Sequence, residues 1–286
     1  MTSSSNALPR ADRSGAYRIV DLEIGDMRQT IAAIGGIATF ARAASVGPRA
    51  LMELLPELQA ACAAVPELVT RALVPACDVI SLATGMPSET RGALESIVES
   101  SRAAVAPVLD VIGTVGVRTP GARSRIALQR SCESAVDALA RARSSIELLQ
   151  RASLGEPLTV SVDELLADLE QADVGRVVYL DVSGAIDAAV HVQPHVASAL
   201  LLGVLACVAE SPRTDALSLR AQREGHRVAL CIGPASPDDG AFRIATRVPT
   251  LAAHDRQVLT LAAASLAAEV HLDATSATLR FQSELV

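Results

Sequence analysis

The chain has 286 residues, half of them hydrophobic, enough for one large domain or two modest ones with real cores. A net charge of −7 with only 2% aromatic residues leaves neither the basic footprint nor the stacking platforms of nucleic-acid binding, so nucleic acid is excluded as a partner. All 25 basic residues are arginine, and the absence of lysine excludes a P-loop lysine, a Schiff-base lysine and a lysine general base.

Asparagine occurs once, at Asn6, so no asparagine serves as a ligand inside the fold. The cysteines (Cys62, Cys77, Cys132, Cys207, Cys231) are odd in number, far apart and set among apolar residues, which reads as reduced core positions. The N-terminus lacks the basic and then apolar layout of a signal peptide. No apolar run reaches the roughly eighteen residues of a membrane span; Ile31 to Ala41 and Ala72 to Met86 come closest. The expectation is a cytoplasmic protein with no membrane insertion.

In chain order, residues 1–22 read as a disordered or extended tail, mobile to about residue 15, and Tyr17 to Ile24 alternates loosely as a short strand or extended lead-in. Residues 23–86 form an alanine-rich helical module, with helices near Met27 to Ala44, Pro48 to Ala64 and Glu67 to Thr84. Its prolines fall at first turns or as kinks. The module packs against the later helical hairpin or offers an input surface.

Residues 87–153 are that hairpin. Leu94, Val98, Ser101, Val105, Val108, Ile112 and Val115 recur at alternating spacings of four and three, behind a good N-cap at Ser88. After a turn at Gly116 to Gly121 the second helix repeats the seam with Leu128, Cys132, Ala135, Leu139, Ala142, Ile146 and Leu149. Pairing two such hairpins buries four seams, which predicts a homodimer built on a four-helix bundle.

Residues 154–286 mix periods. Strands are expected at Leu158 to Val162, Arg176 to Val182, Leu217 to Ala221, Val228 to Ile232 and Ala277 to Leu285. Helices are expected at Asp163 to Gln171, Pro194 to Glu210 and Ala252 to Ala268, and a turn at Glu224-Gly225. The fold class is α+β: a helical module, a long hairpin and a C-terminal α/β sandwich with helices on one face of a mixed sheet.

A helical hairpin followed by a domain of this order and size resembles the core of a sensor histidine kinase, a dimerising phosphoacceptor hairpin joined to a GHKL-type ATP-binding domain. The resemblance covers roughly residues 88–286. The family carries Ser-His-Glu with a proline five residues after the histidine, then Ile and Gly. Here Ser100-Ser101-Arg102-Ala103-Ala104-Val105-Ala106-Pro107 precedes Ile112-Gly113.

The match sets Arg102 at the phosphoacceptor position, Ala103 at its acidic partner's and Pro107 at the family's proline. A guanidinium offers no neutral nitrogen nucleophile, and alanine offers no carboxylate to orient one. The two asparagines that hold Mg²⁺ and phosphate in the family are matched by Gly203 and Cys207. The adenine-reading Asp-x-Gly-x-Gly is replaced by Gly233-Pro234-Ala235-Ser236, with Asp238-Asp239-Gly240 displaced beyond it. The glycine-rich lid is missing at Val258 to Leu261.

The resemblance therefore implies a pseudokinase without nucleotide or metal cofactor, binding a receiver domain or a histidine kinase through Arg102, Ala106 and Leu109. Two alternatives remain: a divergent kinase or phosphotransferase using His191 or His195, and a small-molecule sensor in the vacated cleft or the helical module. His191-Val-Gln-Pro-His195 has metal-like spacing, yet the proline and the lack of a third ligand favour a surface loop. Asp163, Glu164, Asp168 and Glu170 read as a solvated helix face.

Overall fold

The computed structural model describes residues 11–40, 48–82, 86–115, 122–153, 156–171, 177–185, 187–209, 216–235, 243–245 and 256–284. The chain divides into two compact units, residues 1–146 and 147–286.

The first unit is helical: α1 (Ala11–Phe40), α2 (Pro48–Leu82), α3 (Ser88–Val115) and most of α4 (Ala122–Ala152). The expected tail and short strand at residues 1–22 are corrected from Ala11 onward, because α1 is a helix there. Tyr17, Val20, Ile24, Met27, Ile31, Ile34 and Ala38 form a seam at spacings of three and four, and all are buried. An amphipathic stripe of that length outweighs a loose local alternation.

The two helices expected between Pro48 and Thr84 are one. α2 runs through Pro56, Pro66 and Pro75, burying Leu58, Cys62, Val65, Val69, Ala76 and Ile80. Helix α3 has the expected bounds.

The hairpin seams are covered within one chain. Leu94, Val98, Ser101, Val105 and Val108 of α3 are at most 2% exposed, and Leu128, Cys132, Ala135, Leu139 and Ile146 of α4 at most 1%. Helix α1 packs on α2 and α2 on α3. Helix α4 touches α1 at several points. Arg143 donates from Nε and Nη2 to both carboxylate oxygens of Asp21 at 2.8 and 2.9 Å, and a Cβ added at Gly35 would stand 3.0 Å from the Cβ of Cys132.

Within one chain, α1 to α4 bury the seams assigned to a dimeric four-helix bundle, and the full-length apolar stripe of α1 supplies part of that cover.

Two polar details fit this packing. Ser101 sits in the α3 seam and its hydroxyl donates to the Ile97 carbonyl at 2.7 Å, so its polarity is met inside its own helix. Burial pushes the Cys132 thiol up to about 12, with Cys62 and Glu133 adding to the effect. The unfolded chain ionises near the ordinary value of 9 while the folded chain stays protonated. Stability is therefore full below about pH 9 and falls as pH rises towards 12. Urea melts at pH 8 and pH 10.5 should show a drop that is smaller in Cys132→Ala.

The second unit holds β1 (Leu158–Ser161), α5 (Val162–Gln171), β2 (Val177–Gly184), β3 (Ala189–Val192), α6 (Pro194–Ala209), β4 (Ala216–Glu224) and β5 (Arg227–Pro234). Beyond them come β6 (Arg243–Ala245), α7 (Arg256–Ser265), β7 (Glu269–Leu272) and β8 (Ala277–Glu284). The sheet order is β1-β3-β8-β5-β4-β2-β6 with β7 also on β8. Only the β2–β4 pair is parallel among the described pairings. β3, β6 and β7 are additions to the expected strands.

Alternation builds the layer. Leu217, Leu219 and Ala221 of β4, Val228, Leu230 and Ile232 of β5, and Ala277, Leu279 and Phe281 of β8 are buried. Arg220, Gln222 and Gln282 are exposed. Helix α6 packs on β5 and β8, with α5 and α7 beside it.

Local signals explain the joints. Ser161 and Glu164 form a capping box at α5: the Glu164 N–H donates to Ser161 Oγ at 3.1 Å, and the Ser161 N–H donates to the Glu164 carboxylate at 3.0 Å. Gly225, at φ +62°, opens the two-residue turn between β4 and β5.

Helix α7 ends on Ala267 at φ +50°, with the Ala268 N–H donating to the Ala263 carbonyl at 2.9 Å and the Ala267 N–H to that of Ala264 at 3.1 Å. This is the glycine position of a Schellman ending. Ala267→Gly relieves the left-handed strain and should raise stability by about 1 kcal/mol in chemical denaturation.

Candidate functional site

Three places carry candidate chemistry: the outward face of α3, the middle of α6 with the end of β5, and a cavity at the start of α6.

Because Ser101, Val105 and Val108 face the core, the residues between them face outward. Arg102, Ala103, Ala106 and Pro107 are exposed and Leu109 is half-buried. Arg102 contacts only a neighbour on its own helix among the described ion pairs: Glu99, at 3.5 Å, with the two side chains 54% and 70% exposed. An exposed pair of that geometry contributes little and leaves the guanidinium available to solvent. Pro107 has no N–H, so the Ala103 carbonyl loses its intrahelical donor on this same face. Around Arg102 the surface is small-residued, with the exposed carboxylates of Glu99 and Asp110 on the same helix and one backbone acceptor.

Within α6, Gly203 is buried and Cys207 half-buried, on a helix that also buries Val196, Leu200, Leu201, Val204 and Leu205. Pro234 ends β5, exposed and opposite Leu217, and its carbonyl accepts from the Ser218 hydroxyl at 3.4 Å. Ser236 and Asp238 to Gly240 lie outside the described residues. Val258 and Leu259 are buried on α7. None of Gly203, Cys207 and Pro234 brings an oxygen side chain of the kind a hard cation takes.

The histidines are dispersed. His191 lies on β3, exposed, with its Nδ1 3.4 Å from the Thr159 hydroxyl across the β1–β3 pair. His195 is exposed in the first turn of α6. The surface loop expected to carry both is therefore a strand followed by a helix, with Gln193 as the residue between them. His226 is in the β4–β5 turn, His271 is 3.4 Å from Asp273, and His254 lies outside the described residues. Among the described residues no three His, Cys, Asp or Glu side chains group as metal ligands. Asp163 and Glu164 are exposed as expected; the side chains of Asp168 and Glu170 are outside the described set.

On the outward face of the sheet, Arg280 Nε donates to Glu224 at 2.9 Å and Arg227 Nη1 to Glu269 at 2.8 Å. The hydrogen bond from Arg280 holds the Glu224 carboxyl below the usual range. These pairs are open to water and act as cross-strand ties.

The cavity at the start of α6 measures about 600 Å³ and is lined by Arg151, Glu156, Leu158, Gln193, Pro194, His195 and Val196. Of this set, the sequence singled out only His195 as a candidate for chemistry. The β1–β3 pairing sets Leu158 opposite Val192, next to the first residues of α6, and the end of α4 supplies Arg151. No local periodicity reports such a pairing.

No helix among the described residues is long and apolar enough to cross a membrane.

No protein-family model matches the chain, and no curated protein matches it in sequence. Among solved structures, it is similar to the histidine kinase AdeS of Acinetobacter baumannii at 14% identity and a TM-score of 0.35, over 67% of this chain and 98% of that one. It is similar to a histidine kinase from Burkholderia phymatum STM815 at 19% identity and a TM-score of 0.30, over 66% and 98%. A bacterial phosphotransferase gives 14% identity and a TM-score of 0.29, over 67% and 93%.

Proposed function

We propose that this chain is a non-catalytic binding protein of histidine-kinase-like design, acting in two-component-type signalling by occupying a partner's surface. The partner is a receiver domain or a histidine kinase, and the docking face is α3 around Arg102, Ala106 and Leu109. The observation that carries the reading is the outward face of α3. It turns Arg102 and Ala103 to solvent where the sequence resemblance sets a phosphoacceptor and its acid, so the face is open to a protein and those two positions offer no imidazole nucleophile and no carboxylate.

The positions matched to the nucleotide site support the same reading. Gly203 and Cys207 replace two amide side chains, and no asparagine occurs after Asn6 to take their place. Since one chain covers its own hairpin seams, the proposed acting form is a monomer with a single such face.

Calorimetry with ATP·Mg²⁺ should show no binding in the micromolar range, and incubation with γ-labelled ATP should leave the chain unlabelled. Micromolar nucleotide binding, or acid-labile phosphate on His191 or His195 that disappears in the alanine variants, would overturn the reading.

A further inference from the structure

The cavity at the start of α6 has features that the partner-binding role does not use. It is separate from the positions matched to a nucleotide site, since Gly203 lies eight residues beyond His195, about 12 Å along the helix axis. Its volume of about 600 Å³ falls within the span of roughly 300–1,000 Å³ that small-molecule sites occupy.

The walls combine three kinds of chemistry. Leu158 and Val196 give an apolar surface, and Leu158 is 58% exposed, one of the few large apolar side chains left in water among the described residues. Arg151 supplies a cation. Its Nη2 is engaged by Glu147 one turn earlier on α4, while a guanidinium has five N–H donors, so that pair leaves capacity for a second acceptor. His195 adds a ring nitrogen to the lining. Glu156, two residues before Leu158 in the chain, brings a carboxylate to the same space.

A simple anion is poorly served here, because Glu156 opposes it. A simple amine is opposed by Arg151. A molecule with both charges and an apolar body uses every wall.

We infer that this cavity binds a small zwitterion with an apolar body, of the size of an apolar amino acid or dipeptide. Its carboxylate meets Arg151 and His195, its ammonium meets Glu156, and its side chain covers Leu158 and Val196. The inference is independent of the docking role of α3.

The test uses the full chain, titrated by calorimetry with L-leucine and leucyl-leucine, and with two half-ligands, 4-methylvalerate and isoamylamine. At least one zwitterion should bind saturably with one site per chain, and both half-ligands should bind at least tenfold more weakly. Arg151→Gln and Glu156→Gln should each weaken the zwitterion at least tenfold with an unchanged thermal melt. Glu147→Gln, which breaks the ion pair and keeps Arg151, should bind as the wild type does.

No binding of either zwitterion overturns the inference. Binding of 4-methylvalerate as tight as that of leucine makes the site an anion site and overturns it too, as does zwitterion binding indifferent to both charge-removing variants.

Discussion

The wild-type chain is expected to run as a monomer of 29.6 kDa in light scattering, and Gly35→Leu is expected to convert a large fraction of it to a dimer of twice that mass. The expectation rests on a close approach inside the bundle. A Cβ at position 35 meets the Cβ of Cys132 at 3.0 Å, and both are rooted on helix backbones, so neither can swing aside. Leucine adds three further carbons beyond that Cβ, and α1 must move off α4.

Overpacking of this kind costs about 1–3 kcal/mol where side chains can shift, and more where backbones are in contact. Displacing α1 uncovers Cys132, Leu139 and Ile146, the stripe that needs a cover. A second copy's hairpin is the nearest one of matching period. A dimeric wild type, or a monomeric and fully stable Gly35→Leu, would sink the single-chain account of the bundle.

Phe281→Ala should be the most damaging truncation in the α/β unit, at about 3–5 kcal/mol, with a fall in melting temperature on the order of 10 °C. Phe281 is fully buried on β8, paired with Val228 of β5 beneath the helix layer. It is one of only three phenylalanines in a chain without tryptophan. Alanine at this position leaves the volume of a ring empty in a fully buried layer. A denaturant midpoint within error of the wild type would show that this layer repacks freely.

Much of this architecture was legible because it is written in local periods. α3 from Ser88 to Val115 is set by a cap and a seam, both readable one residue at a time. The β4–β5 hairpin is set by two alternating runs around Glu224-Gly225. What was missed depends on distant partners. β3, β6 and β7 are three or four residues long, and such strands exist because β1, β2 and β8 pair with them. α1 was obscured by Tyr17 to Ile24, where a helical stripe and a loose alternation share the same residues until the longer repeat decides.

The outward face of α3, including Arg102, was readable as the complement of a seam. That the seam is closed by its own chain was not. The cavity was invisible for a related reason: Arg151 and Glu156 are unremarkable in sequence, and His195 pairs there with His191, until a β-pairing assembles the three.

The three prolines inside α2 give the bundle a property that none of its contacts describes. A proline in a helix interior costs about 3 kcal/mol relative to alanine, so Pro56, Pro66 and Pro75 remove more than an isolated helix of this length could recover. α2 therefore has no existence as a free-standing helix and is held in form by what it touches. Detachment of α1 or α3 should melt α2 at the same moment, so that the four helices come apart in one cooperative step. Amide hydrogen exchange would report it as a common opening free energy along α1 and α2.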